Sequence, residues 1–124
     1  MRYLLLLFLA VPLAAQARER QLHDLIALSV PYSAPPQYDQ WWAETRALCD
    51  CVPKIQLADL QWRLMADSKP HDRGSYWTGV DVVFIEPPDD RNPDVIKHEM
   101  LHVMLGGDPD HTAAVWRHFA VGSY

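Results

Sequence analysis

The sequence predicts an α+β domain in which a small sheet packs on two helices, and three observations carry that expectation. Two segments, 38–49 and 92–105, show helical spacing of apolar residues or the residue types that begin and end helices. Between them lie runs at 57–66, 76–78 and 80–86 that are rich in Ile, Val, Trp and Phe and are separated by turn residues. A chain of 124 residues has room for one core and little more. Five Trp, five Tyr and three Phe enlarge that core, because each aromatic ring buries a large area. No internal repeat or low-complexity segment interrupts the pattern.

Residues 1–17 have the form of an export signal. Arg2 is the charged start, Leu4 to Leu13 an apolar run, and Ala15-Gln16-Ala17 a small-x-small cleavage site. The apolar run is too short to span a bilayer. No Cys follows the small residues, so a bacterial-type lipid anchor is not supported. The expected product is one domain, residues 18–124, exported to the periplasm or the extracellular space without stable membrane insertion. The net charge of −5 becomes more negative once Arg2 is lost, which argues against nucleic acid and anionic membrane surfaces as partners.

The elements follow in order. Leu22, Leu25, Ile26 and Ser29 have helical spacing, so 18–30 reads as a short helix or a loosely packed arm. Ser33-Ala34-Pro35-Pro36 breaks the chain. Tyr38, Trp41, Trp42, Thr45, Leu48 and Cys49 then mark an amphipathic helix. Its adjacent Trp residues read as packing against the sheet rather than as a carbohydrate platform. Cys49-Asp50-Cys51 ends it, and an exported protein would oxidise such thiols. Only one residue separates them, so a local disulfide, a bond between two chains and free thiols all stay open, with a redox role conceivable. A strand is expected near 57–66, then a polar loop, 67–75, in which His71 is a poor candidate ligand. Residues 76–78 and 80–86 read as two short strands, or one bent at Gly79. Val82-Val83-Phe84-Ile85 is wholly apolar, hence buried on both faces or lining a cleft. Pro87-Pro88 ends that run, and Asp89-Asp90-Arg91 turns into the last long helix.

That helix carries the chemistry. Asn92 suits the N-cap, Pro93 the first helical position and Asp94 the first turn, while Gly106-Gly107 supplies the stop. Inside it stands His98-Glu99-Met100-Leu101-His102. Residues four apart share one face, so both imidazoles can aim at one point and make half of a tetrahedral metal site. Glu99 falls beside that point.

This H-E-x-x-H, with Val95, Ile96, Met100, Leu101, Val103 and Met104 around it, resembles the zinc-dependent metallopeptidases of the zincin group. The resemblance implies a minimal zincin-like domain, a Zn2+ cofactor and hydrolysis of peptide bonds in a peptide or protein substrate, with Glu99 as general base. It also implies that a strand shortly before the metal helix forms the upper rim of the cleft, and residues 80–86 occupy that place.

Two His do not close the site. Glu occurs only at 19, 44, 86 and 99, so no Glu downstream can serve. The metzincin spacing would want Gly and His where this chain has Leu105 and Asp108, and no Met follows the metal helix. Gly106-Gly107 could reverse the chain one residue later, which leaves Asp108, Asp110, His111 and, more remotely, His118. His111 is favoured as a neutral imidazole on a tight return path through Pro109, with Asp108 next, unless Asp108 instead caps the following turn. A short helix, 112–119, is expected with Thr112 as its cap and Ala113, Val115, Trp116 and Phe119 facing the core. His118, Tyr124 and Tyr76 are candidate donors to a developing oxyanion. Two other functions compete with hydrolysis. One is a non-catalytic zinc-binding envelope protein whose site Asp108 or Asp110 closes. The other is an interaction module with a relict metal helix.

Overall fold

The computed structural model describes residues 11–119. Its elements are α1 (Leu13–Ala27), β1 (Ser29–Tyr32), α2 (Gln37–Cys49), β2 (Gln61–Met65), β3 (Gly74–Trp77), β4 (Val82–Ile85) and α3 (Pro93–Leu105). Short 3-10 turns stand at Leu57–Asp59, Asp89–Arg91 and Ala114–His118. The domain is α+β. The start and most of the apolar run of the expected leader lie outside the described residues, as does Tyr124. Ala15-Gln16-Ala17 falls within α1. No helix among the described residues is long and apolar enough to cross a membrane.

The four strands lie in the order β1-β2-β4-β3. β1 pairs antiparallel with β2, β2 parallel with β4, and β4 antiparallel with β3. The chain therefore leaves β2, forms the outer strand β3, and turns back to place β4 in the middle. Gly79 (φ 88°) and Asp81 (φ 56°) make that turn with left-handed backbone, so β3 and β4 are two strands and not one bent strand. The all-apolar run Val82–Ile85 follows from this position, since a central strand of a covered sheet is buried on both faces. Val83 and Ile85 face α2 and α3 together with Trp62, Tyr38, Ile96 and Met100. Val82 and Phe84 face the opposite side with Met65 and Trp77, beneath Leu22, Leu25 and Leu28 of the α1 segment. α1 is thus a cover over the second face, and none of its residues is fully buried.

β1 was not legible in the sequence, where Ser29 counted toward a helix. Pro31 within it has no N–H, and an edge strand is where that loss is tolerated. The expected strand at 57–66 begins only at Gln61, after the 3-10 turn. On α2 the buried stripe is Tyr38, Trp42 and Thr45, with Cys49 packed beside it. At about 100° per residue these positions fall within about 60° of one another, whereas Trp41 and Leu48 lie farther round. Trp41 is accordingly half-buried, and Leu48 is 50% exposed instead of facing the core. Trp42 is buried, so the Trp pair presents no flat platform.

Cys49 and Cys51 form a local disulfide. Regular helix could not close so short a ring, and the helix indeed stops there. Asp50 between them is the left-handed C-cap of α2 (φ 50°).

Candidate metal centre

The ends of α3 follow the sequence closely. The Asn92 side chain accepts a hydrogen bond from the Asp94 N–H at 3.0 Å, Pro93 opens the helix, and Gly106 ends it in the left-handed conformation. Eight residues of the helix are buried, His98 and Glu99 among them. An H-E-x-x-H on the exposed face of a surface helix is therefore not what the chain builds.

After Gly106 (φ 71°) the chain reverses through Gly107 (φ 131°) and Asp108 (φ 58°), and reaches His111 (φ 54°). Only glycine takes the second of these without strain. The reversal brings His111 over the helix face that carries His98 and His102. The three Nε2 atoms form a nearly regular triangle, 3.2 Å from His98 to His102, 3.1 Å from His98 to His111 and 3.2 Å from His102 to His111. This group could hold a metal ion. His102 donates its Nδ1–H to the Gly107 carbonyl at 2.7 Å, which leaves the Nε2 lone pair pointing at the common point. Burial lowers the His102 pKa below its usual value, so the imidazole stays neutral as a ligand must be.

Asp108, the second candidate for the third position, is not one of the three. Its carboxylate accepts from the Thr112 N–H (3.0 Å), the Thr112 hydroxyl (2.6 Å), the Ala113 N–H (2.9 Å) and the Trp116 indole N–H (2.7 Å). These bonds hold its pKa well below the usual carboxylate range, those from Thr112 and Ala113 contributing most. Thr112 is therefore a donor to Asp108 and not the cap of the tail, whose N-cap is Ala113. The tail forms a 3-10 turn that buries Trp116, while Ala113, Val115 and Phe119 are only half-buried. Among the described residues, Asp110 and His118 stand outside the triad.

Trp116 has a place that residue spacing could not reveal. Its ring centroid lies 4.8, 4.6 and 4.4 Å from those of His98, His102 and His111. It is 4% exposed and does not line the cleft onto which the triad opens. Trp116 thus packs against all three imidazoles while staying buried outside the cleft lining.

The cleft has a volume of about 410 Å³ and runs along β3, with Gly74, Ser75 and Tyr76 on its wall and the three His and Glu99 at its base. This corrects the expected rim strand. Residues 80–86 contain β4, which is paired on both sides, whereas β3 has an unpaired outer edge in this sheet. Arg18 of α1 and Asp72 flank the two ends of β3. The Arg18 guanidinium reaches the Thr78 carbonyl and hydroxyl at 3.4 and 3.3 Å and stacks on Trp77.

Glu99 is 2% exposed, and its Oε2 has no hydrogen-bond partner among the described residues. Burial pushes its carboxyl up to about 8, with the nearby Asp72 carboxylate adding to the effect. The close neighbour that makes room for it is Gly74. A Cβ there would lie 2.8 Å from both Cγ and Oε1 of Glu99. The sequence placed Gly74 in the polar loop 67–75, whereas it opens β3, so this close approach was not legible beforehand. Tyr76 lines the cleft, but its hydroxyl already donates to Asp81 at 3.0 Å.

No protein-family model matches the chain, and no curated protein or solved structure matches it.

Proposed function

We propose that this chain is an exported zinc-dependent metallopeptidase, with His98, His102 and His111 as the metal ligands and Glu99 as the general base. The observation that carries the reading is the triangle of three Nε2 atoms at the base of a cleft, beside a buried carboxylate. Tetrahedral zinc with Zn–N distances of about 2.0–2.1 Å spaces its nitrogen ligands about 3.3–3.4 Å apart. The separations of 3.1–3.2 Å fit that ligand set with a shift of a few tenths of an ångström. Three imidazoles with Asp108 engaged elsewhere suit an open, catalytic site better than a closed structural one.

Zinc bound there would lower the pKa of a water molecule and polarise the substrate carbonyl. Glu99 takes the proton of the attacking water and passes it to the leaving amine. Burial keeps this carboxyl protonated up to about pH 8 in the metal-free chain, and a neighbouring cation favours its charged form. The outer edge of β3 offers main-chain N–H and C=O groups to an extended peptide laid along the cleft.

Metal analysis and peptide hydrolysis by the purified protein test the proposal together. The expected result is about one zinc per chain, strongly reduced in His102→Ala, and cleavage of unstructured peptides that a chelator stops. Glu99→Gln should retain zinc and lose at least about a hundredfold in kcat/KM. A zinc-loaded Glu99→Gln protein as active as the parent would refute the assignment of the base, and a folded parent that takes up no zinc would remove the metal reading.

A further inference from the structure

The third ligand hangs on a loop, and loops do not by themselves hold a side chain to the tolerance a metal requires. His111 has left-handed backbone and follows a reversal with three further positive-φ residues. What holds it lies on either side of it. Asp108 receives four donors from Thr112, Ala113 and Trp116. One of its oxygens serves Thr112, and the other serves the Ala113 N–H and the Trp116 indole. The segment 108–116 is thereby closed into a ring with His111 on its rim. The same indole packs against all three imidazoles.

We infer that Asp108 and Trp116 act as one clamp, which presets His111 as the third ligand and leaves the metal open only toward the cleft. This rests on the metal-centre reading and adds to it that Asp108 works as a positioning residue and not as a ligand. The clamp has a specific chemical requirement. A carboxylate can accept on both oxygens, whereas an amide in its place has one acceptor and must leave either Thr112 or the Ala113–Trp116 pair without it. Trp116→Phe keeps an aromatic ring at this position but removes the indole N–H together with part of the ring.

The test is a double-mutant cycle on zinc affinity, measured by competition with a chromophoric chelator, for the parent, Asp108→Asn, Trp116→Phe and the double variant. Each single change is expected to weaken zinc binding about 10- to 100-fold, the range found for groups that support metal ligands. The double variant should be no weaker than about the poorer single one, because both changes break the same clamp. Far-UV circular dichroism confirms that each variant is folded, and Trp116→Phe stands as the informative arm if Asp108→Asn is not. Cobalt(II) spectra supply the second readout. Under the clamp, metal-saturated Asp108→Asn keeps the parent's ligand-field bands. Multiplicative losses in the double variant, or parent-like affinity in Trp116→Phe, would overturn the inference, as would a spectrum changed in Asp108→Asn alone. A parent that binds zinc while the variants behave in these ways sinks the clamp only. A parent without zinc affinity sinks the metal centre with it.

Discussion

Replacing Glu99 by Gln in the metal-free protein should change stability in a way that depends on pH. The carboxyl is buried, one of its oxygens has no hydrogen-bond partner among the described residues, and its pKa rises from an ordinary 4.5 to about 8. In the unfolded chain the group titrates near its ordinary value. Between those two pH values the folded state holds a proton that the unfolded state has released, so stability falls as pH rises through that window. At about 1.4 kcal/mol per factor of ten, the whole effect amounts to about 4–5 kcal/mol. Below pH 4.5 both states are protonated, and the parent and Glu99→Gln should differ little. Above pH 8 the parent carries the full penalty of a buried charge, and the neutral amide does not. Urea unfolding of both proteins in chelator, at half-unit steps from pH 4 to 9, isolates the effect of Glu99 and its coupling to Asp72, because contributions from uncoupled groups cancel in the difference. A difference in unfolding free energy that stays flat across this range would refute the assignment of Glu99 as a buried acid with a raised pKa. A difference that grows as pH falls would refute it equally.

Gly74→Ala places a methyl group 2.8 Å from the Glu99 carboxylate, so it should displace that group and cost about 1–3 kcal/mol of stability. Its peptidase activity should fall further than its zinc content, and equal losses of both would count against Gly74 as the seat of Glu99. His111→Ala should lower zinc affinity as severely as His98→Ala. If it retains parental affinity, the loop does not supply the third ligand. Cys49 and Cys51 close a ring so small that the loop-entropy relation assigns their bond only about 1–2 kcal/mol. The doubly Ser-substituted chain should therefore fold and bind zinc like the parent, and loss of the metal would instead make the disulfide part of the site's support.

What could be read from the sequence concerned residues a few positions apart. The ends of α3 depend on Asn92, Pro93 and Gly106, and the shared face of His98 and His102 depends on a four-residue step, so both were legible. The same holds for the body of α2 and for the punctuation at Gly79, while for Val82–Ile85 the sequence left burial on both faces or a place lining a cleft, and the central position of β4 decided for burial. The third member of the His group was half-legible. The two glycines announced a reversal, but whether His111 or Asp108 would meet His98 and His102 turned on which side chain the returning loop aimed at them. The fold decided that by giving Asp108 the donors of Thr112, Ala113 and Trp116. Strand order was beyond reach for a different reason. The pairing of Gln61–Leu64 with Val82–Ile85 joins segments about twenty residues apart, and nothing local says that the strand between them goes to the outside. That one long-range choice makes β3, not β4, the wall of the cleft, and brings Gly74 against Glu99. The sequence by itself determined the helix that carries His98, Glu99 and His102 on neighbouring positions, because helix geometry is written in near neighbours. The tertiary structure decided the edge, the third imidazole and the indole against it, because those contacts arise only when distant segments pack.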